Sequence, residues 1–351
     1  MYTLRIENLH MLNYRSFSEK AVKLNPRMNV FAGENGAGKT AVLEAACVSL
    51  GAYLASFKKY VPSRYIFNIS KNDVHLRTNG ISQYPCKIEC SAIWGADEKL
   101  IRFQRILEKA NGRTKFECAN PMQETVVSWE KEIEKAEHAD KGLIFPIVLY
   151  LSSERLSGGN KSLPRSGITF NRTDAYNECL NRRHGIELAL KYIQMLQAVA
   201  VEENGGKHFP AYEAILDAVN TAIKEGLSLN ESVIFSTKYS KDIVALRTKE
   251  GTIIPYASLS DGYRSVIKII LDVATRMCML NPYLKGDALK ETPGVVVIDE
   301  IELSLHPTWQ KRISSILKIL FPKVQFICAT HSPFIIQSLG DGELHILDNE
   351  L

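Results

Sequence analysis

The chain has no uncharged apolar run approaching the ~18 residues that a membrane-spanning helix requires. Its opening residues, MYTLRIENLHMLNYRSF, contain no apolar core of the kind a secretory signal carries. These two absences predict a soluble, cytoplasmic protein that does not engage a membrane. A charge excess is also missing: 43 Lys and Arg stand against 39 Asp and Glu, too small a surplus to diagnose nucleic-acid binding. The local cluster Arg182, Arg183 and His184 reads most simply as a solvated run. The seven cysteines are odd in number and show no zinc-like pairing of pairs, which predicts reduced thiols. Cys86 and Cys90 fall on one face of a strand, where burial explains them better than metal ligation. Sustained heptads are lacking, so no long coiled-coil arm is encoded. There are no internal repeats and no low-complexity tracts, and the composition, 45% hydrophobic and 23% charged, is that of an ordinary globular protein.

What the sequence does contain is FAGENGAGKT, which sets Gly33, Gly38, Lys39 and Thr40 at the spacing of a Walker A phosphate-binding loop. A short apolar run, residues 28–32, precedes it as a buried strand, and AVLEAACVSLGAYL follows with helical periodicity. Glycines let backbone N–H groups turn inward on phosphates, and the helix N-terminus adds donors and partial positive charge. Gly33, Glu34, Asn35, Gly36, Ala37, Gly38, Lys39 and Thr40 are therefore the candidate ATP-binding loop. In it, Lys39 reaches the β- and γ-phosphates and the Thr40 hydroxyl is a ligand for Mg²⁺.

Residues 2–9 alternate as a half-buried strand and residues 21–24 read as its continuation or partner. Between them, Arg15 is a candidate phosphate contact, with a surface arginine the competing reading. Residues 74–77, 87–94, 99–107 and 114–118 read as successive antiparallel strands, and 124–141 as an exposed helix. Residues 144–151 form a continuous apolar run, a central strand, whose following loop holds Glu154 and Arg155 as further site candidates against a bland alternative. Two helical patterns occupy 185–226, the first with Ile186, Leu190, Ile193, Leu196 and Val199 on one face. Strand alternation returns at 231–235, 243–247 and 252–256.

LSDGYR then precedes the amphipathic segment SVIKIILDVATRMCML, with Ser260 as N-cap and Gly262 open to close backbone approach. GVVVIDE is four apolar β-formers ending on two carboxylates, a Walker B strand: Asp299 suits the Mg²⁺ shell and Glu300 the polarisation of an attacking water. A last apolar strand, 324–329, ends in THSP, placing His331 where it can sense a γ-phosphate. Outside these motifs no group of His, Cys, Asp or Glu has metal-ligand spacing, so no second catalytic centre is expected.

Taken in order, FAGENGAGKT, LSDGYRS, VVVIDEIELSLHP and ATHSP resemble the ABC-type ATPases of the RecF, SMC and OLD group. More narrowly they resemble the small bacterial AAA-type ATPases of phage-defence systems, the PtuA-like proteins of Septu and retrons. The motifs cover residues 1–60 and 255–340; the middle is covered loosely. The resemblance implies that Ser260, Asp261 and Gly262 are a signature that contacts ATP held by another protomer. It makes residues 302–306 the D-loop and His331 the switch histidine, and it matches Arg15 to the family's phosphate-touching arginine. The signature departs from the transporters' LSGGQ, and no glutamine sits at an obvious Q-loop position, for which Asn72 and Asp73 are the candidates. Unlike OLD proteins, the chain shows no room after its last motif for a Toprim nuclease.

The expected fold is α/β, an ABC-ATPase head with a mixed core sheet, an antiparallel β subdomain and an inserted helical lobe. Its expected parts are a nucleotide-binding core (1–60 and 255–351), the β subdomain (61–143), and the central strand, helical lobe and return strands (144–254). The expected function is Mg²⁺-dependent ATP binding and hydrolysis. ATP-driven assembly of a homodimer or higher even oligomer would control a separate effector, a nuclease or toxin, in antiviral defence. A RecF-like DNA-binding repair ATPase is the alternative, which leaves nucleic acid open as a partner. A transporter motor and a non-hydrolysing scaffold fit the motifs less well.

Overall fold

A computed structural model gives the fold and describes residues 3–57, 61–118, 120–135, 143–156, 170–182, 185–203, 209–226, 229–235 and 243–348. Strands β1 (Thr3–Tyr14) and β2 (Phe17–Lys23) form a hairpin in which the apolar positions of β1 alternate inward. β3 (Met28–Gly33) is buried until its last residue and delivers the chain into α1 (Lys39–Ser56). β4 (Cys86–Gly95), β5 (Lys99–Leu107) and β6 (Lys115–Glu117) follow as antiparallel strands. The five-stranded sheet that results has the order β2-β1-β4-β5-β6.

One strand reading changes here. Residues 74–77 form no strand, because Val74 and Leu76 make only isolated bridges, to Tyr14 and Ser82. The antiparallel sheet also takes its first two strands from the segment read as nucleotide-binding core. β2 covers one edge of β1, and β4 completes the other across a register shift between Ile6 and Asn8.

α2 (Asn120–Lys135) is not simply exposed, as its charge pattern suggested. Met122, Val126 and Trp129 lie on one stripe and are buried, and the Trp129 ring stacks on Phe145 and tilts against Trp94. The expected extension of this helix to residue 141 falls outside the described residues. β7 (Ile147–Leu151) is buried throughout, as its apolar run requires. α3 (Glu187–Glu203) and α4 (Pro210–Thr221) make the helical lobe, and β8 (Ser232–Phe235), β9 (Val244–Arg247) and β10 (Ile253–Pro255) a small antiparallel sheet.

The chain then forms α5 (Asp261–Leu280), the short α6 (Ala288–Glu291), β11 (Gly294–Ile298), α7 (Pro307–Leu320), β12 (Val324–Thr330), the short α8 (Pro333–Ile336) and β13 (Leu344–Leu347). The central sheet is parallel, in the order β13-β3-β12-β11-β7. α1 packs against β1, β4 and β5 on one side and β3, β11 and β12 on the other, which is why it is apolar all round rather than amphipathic. Parallel pairing brings the carboxyl ends of β3, β12, β11 and β7 to one edge, where ligands of open α/β sheets bind. Among the described residues no helix is long and apolar enough to cross a membrane.

Candidate functional site

The loop between β3 and α1 is built as a cradle. Gly38 is the N-cap of α1 in the left-handed region, φ 90°, and no side chain caps the helix. The N–H groups of its first turn are therefore left to a ligand, the arrangement that binds anions. A Cβ at Gly38 would run into the Phe17 ring, so the β1–β2 turn fits against the loop only because that position is glycine. Lys39 is buried, and its Nζ donates to the carbonyls of Gly33 and Glu34 at 2.8 and 2.7 Å. Burial lowers its pKa, opposed by the nearby carboxylates Asp299, Glu302 and Glu300. An ammonium held on two carbonyls of an uncapped glycine loop fits a polyphosphate.

Thr40 Oγ1 stands 3.2 Å from Asp299 Oδ2, so the first turn of α1 and the end of β11 present a hydroxyl and a carboxylate to one point. Hard oxygen donors of this kind suit Mg²⁺. Burial raises the pKa of Asp299, while its bond from Thr40 and the nearby Arg155 lower it. The next residue, Glu300, is a non-glycine at φ 47°, a left-handed conformation that costs about 1–3 kcal/mol and persists only when its surroundings impose it. Those surroundings are visible. Arg155, 2% exposed, donates to the carbonyl of Asp299 at 2.6 Å and to that of Glu300 at 2.8 Å, and Leu303 N also donates to Glu300 O. Burial holds the Arg155 guanidinium down to about 10, against the pull of Asp299, Glu300 and Glu302.

His331 follows β12 and is exposed. Its backbone N–H donates to Glu302 Oε1 at 2.6 Å and Thr330 Oγ1 donates to Glu302 Oε2 at 2.7 Å, so one carboxylate joins the segment after β11 to the histidine. At the start of α5, Ser260 and Asp261 are exposed, and the Asp261 carboxylate pairs with Arg264 of the same helix. A Cβ at Gly262 would lie 2.9 Å from Ser304 O and 3.0 Å from the Trp309 ring. The close approach expected there is thus to this chain's own 302–306 segment.

Arg15 sits beside the loop but its guanidinium is engaged: Nε donates to Asp73 Oδ1 at 2.9 Å and the other end pairs with Glu44. Asp73 and Asn72 line a cleft of about 730 Å³ together with Arg15 and Arg182. Arg182 pairs with Glu44 at 2.6 Å and lies over the Phe67 ring; Arg183 and His184 fall outside the described residues. Sequence reasoning missed Glu44. Its signal was a carboxylate one turn after Thr40 in an otherwise apolar helix, and the structure buries it between two arginines. Glu154 lines a second cleft, whereas Arg155 reaches the carbonyl of Asp299. Among the described residues no other group of His, Cys, Asp or Glu could hold a metal, and Cys86 and Cys90 are both buried.

A parallel sheet carrying an uncapped glycine loop and a buried lysine after β3, with a carboxylate two strands away after β11, is the framework of an ATPase domain. The chain belongs to the family of AAA domains. A family model described as "AAA domain, putative AbiEii toxin, Type IV TA system" matches residues 120–337, and one described as "AAA domain" matches residues 8–226, each more than half of the chain. Along its length the chain is similar to the Retron Vc95 probable ATPase of Vibrio cholerae serotype O1 biovar El Tor. The two are 23% identical over 393 residues, covering 99% of this chain and 74% of that protein. The similarity to Septu protein PtuA of Bacillus mycoides (strain KBAB4) is local: 45% identity over 93 residues, 26% of this chain and 12% of the other. Among solved structures, an SMC head bound to the C-winged helix domain of ScpA matches with a TM-score of 0.53 at 14% identity, covering 96% and 95% of the two chains. That likeness is one of fold, and it agrees with the ABC-type head expected from the motifs.

Proposed function

We propose that the chain binds ATP on residues 33–40, hydrolyses it with Mg²⁺, and uses the ATP-bound state to assemble with a second copy and control a separate effector in antiviral defence. The observation that carries the reading is the convergence of Thr40 and Asp299 at 3.2 Å beside an uncapped helix N-terminus, with Glu300 fixed next along. In this reading Lys39 and the first-turn N–H groups hold the phosphates, while Thr40 and Asp299 hold Mg²⁺. The cation supplies charge neutralisation on the phosphates. Glu300 orients and polarises the water, and His331, whose backbone N–H is held by Glu302, senses the γ-phosphate. Ser260 and Asp261, exposed at the start of α5, are offered to ATP on the partner copy. Arg15 joins the phosphates only by leaving Glu44 or Asp73. Similarity to the retron ATPase and to PtuA supports the defence role and a partner effector such as a nuclease.

The test is Glu300→Gln, which keeps size and spares Thr40 and Asp299. Hydrolysis should slow by about two to four decades while ATP binding survives. With ATP and Mg²⁺ this variant should elute as a dimer or larger even assembly, and adding Ser260→Arg should disperse it. Parental turnover in Glu300→Gln removes Glu300 from the reaction. Identical elution with and without ATP removes the two-copy model.

A further inference from the structure

Arg155 is a charged side chain in a place where charge is expensive. Its partners are the carbonyls of Ser152, Asp299 and Glu300 at 3.2, 2.6 and 2.8 Å and the Ser265 hydroxyl at 3.4 Å, and its Nε has no partner. Among the described residues no carboxylate is bonded to it to repay the desolvation of the guanidinium, and stability alone would be served as well by an apolar side chain of similar volume. A planar fork offers something methionine cannot: it can grip two consecutive carbonyls at once. The two it grips flank the left-handed residue Glu300. The same guanidinium reaches Ser265, one turn along α5 from Ser260 and Asp261, and folds back on Ser152 at the end of β7.

We infer that Arg155 is a positioning residue for ATP hydrolysis, fixing the backbone at Glu300 and tying it to the helix that starts with Ser260–Gly262. The inference rests on the reading of Glu300 as the water-polarising group. It gives the signature helix a physical route to the reacting water: a shift of α5 moves Ser265, Ser265 moves the guanidinium, and the guanidinium moves both carbonyls beside Glu300. A misplacement near 1 Å of a reacting group is enough to cost about 10²-fold in rate. Arg155 itself is 2% exposed, and its proposed action runs through the carbonyls it holds.

The experiment compares single-turnover hydrolysis and ATP affinity in the full chain for the parent, Arg155→Met, Arg155→Lys, Ser265→Ala and Glu300→Gln. Arg155→Met should bind ATP within about threefold of the parent and hydrolyse it about 30- to 100-fold more slowly. Arg155→Lys keeps the charge and one carbonyl bond, so its rate should fall between the two. Ser265→Ala should lose a few-fold in rate with no change in affinity. If Glu300→Gln is slow but Arg155→Met turns over at the parental rate, the inference fails and the Glu300 reading stands. If Glu300→Gln turns over normally, the underlying reading fails instead. A fall in rate matched by an equal fall in ATP affinity makes Arg155 merely structural and overturns the proposal. Should Arg155→Met not fold, the Lys and Ser265→Ala variants decide, and parental rates in both overturn it.

Discussion

Removing the Glu302 carboxylate should cost more stability than its half-buried position suggests, because it serves two donors that have little other recourse. Thr330, fully buried, donates its hydroxyl to Oε2 at 2.7 Å, and the backbone N–H of His331 donates to Oε1 at 2.6 Å. Charge-assisted bonds of this kind contribute roughly 1.5–3 kcal/mol each, and partial exposure of the carboxylate argues for the lower figure, so Glu302→Ala should destabilise by about 3 kcal/mol. Glu302→Gln is milder. The amide oxygen can still accept from His331 N, while its NH₂ can meet only Thr330 Oγ1, which already accepts from Ser332 N at 3.0 Å and must give up its own donation. That exchange should cost about 1 kcal/mol. Urea unfolding of the nucleotide-free chain, extrapolated linearly, measures both values. Since His331 follows directly, Glu302→Ala should also lower turnover more than ATP affinity. An alanine variant within about 0.5 kcal/mol of the parent, or a glutamine variant worse than alanine, would refute the bonding argument.

Two further outcomes are expected. Lys39→Ala should weaken ATP binding by about two orders of magnitude, the worth of one charge-assisted contact to phosphate, and unchanged affinity in a direct titration would sink the loop assignment. Lys268, 2% exposed on α5, is pushed down by burial from 10.5 to about 8, partly offset by Asp272 and Glu187. Between those pH values the unfolded chain binds a proton that the folded chain lacks, so this cost to stability is fully present below about pH 8 and fades as pH rises towards 10.5. The stability of Lys268→Met relative to the parent should therefore be greatest below about pH 8 and decline as pH rises towards 10.5. A gap that is absent, or that widens with pH, contradicts it.

The parts of the site that were legible in the sequence are those where one short segment does its work alone. Residues 33–40 carry glycines at the turn after β3, and the buried β11 run is followed directly by two acids, so the strand–loop and strand–acid layout is the one read from the sequence. The illegible parts join segments far apart in the chain. Nothing near Arg155 announces that its guanidinium ends on carbonyls 144 and 145 residues later, and Glu44 shows its importance only when Arg15 and Arg182 arrive from either side. The β1–β2 partnership was legible because the two strands are adjacent in sequence, whereas the pairing of β1 with β4 was not, because β4 begins only at Cys86. The Trp129 stripe of α2 was present in the pattern but masked by the charges around it.

The helix α5 shows why periodicity alone misreads such a protein. Ser265, Lys268, Asp272 and Arg276 recur at three- and four-residue spacing, which a surface helix would turn to water, and all four are buried. α5 packs against β7, α3 and α4, so its polar stripe has to be satisfied internally. Arg276 pairs with Asp272 at 2.7 Å and donates to the carbonyls of Ala175 and Asn177, and Ser265 takes the Arg155 guanidinium. An apolar stripe would be the more stable choice by area, but it would let the helix slide and rotate among equivalent packings. Directional bonds at both ends define a single register. In that register Gly262 meets Ser304 at one end of the helix and Arg276 meets the carbonyls of Ala175 and Asn177 at the other. Under the proposed function, in which its first residues meet ATP on another copy, this helix needs its axial position fixed more than it needs the last few kcal/mol. The buried charges of α5 are the means by which this chain fixes it.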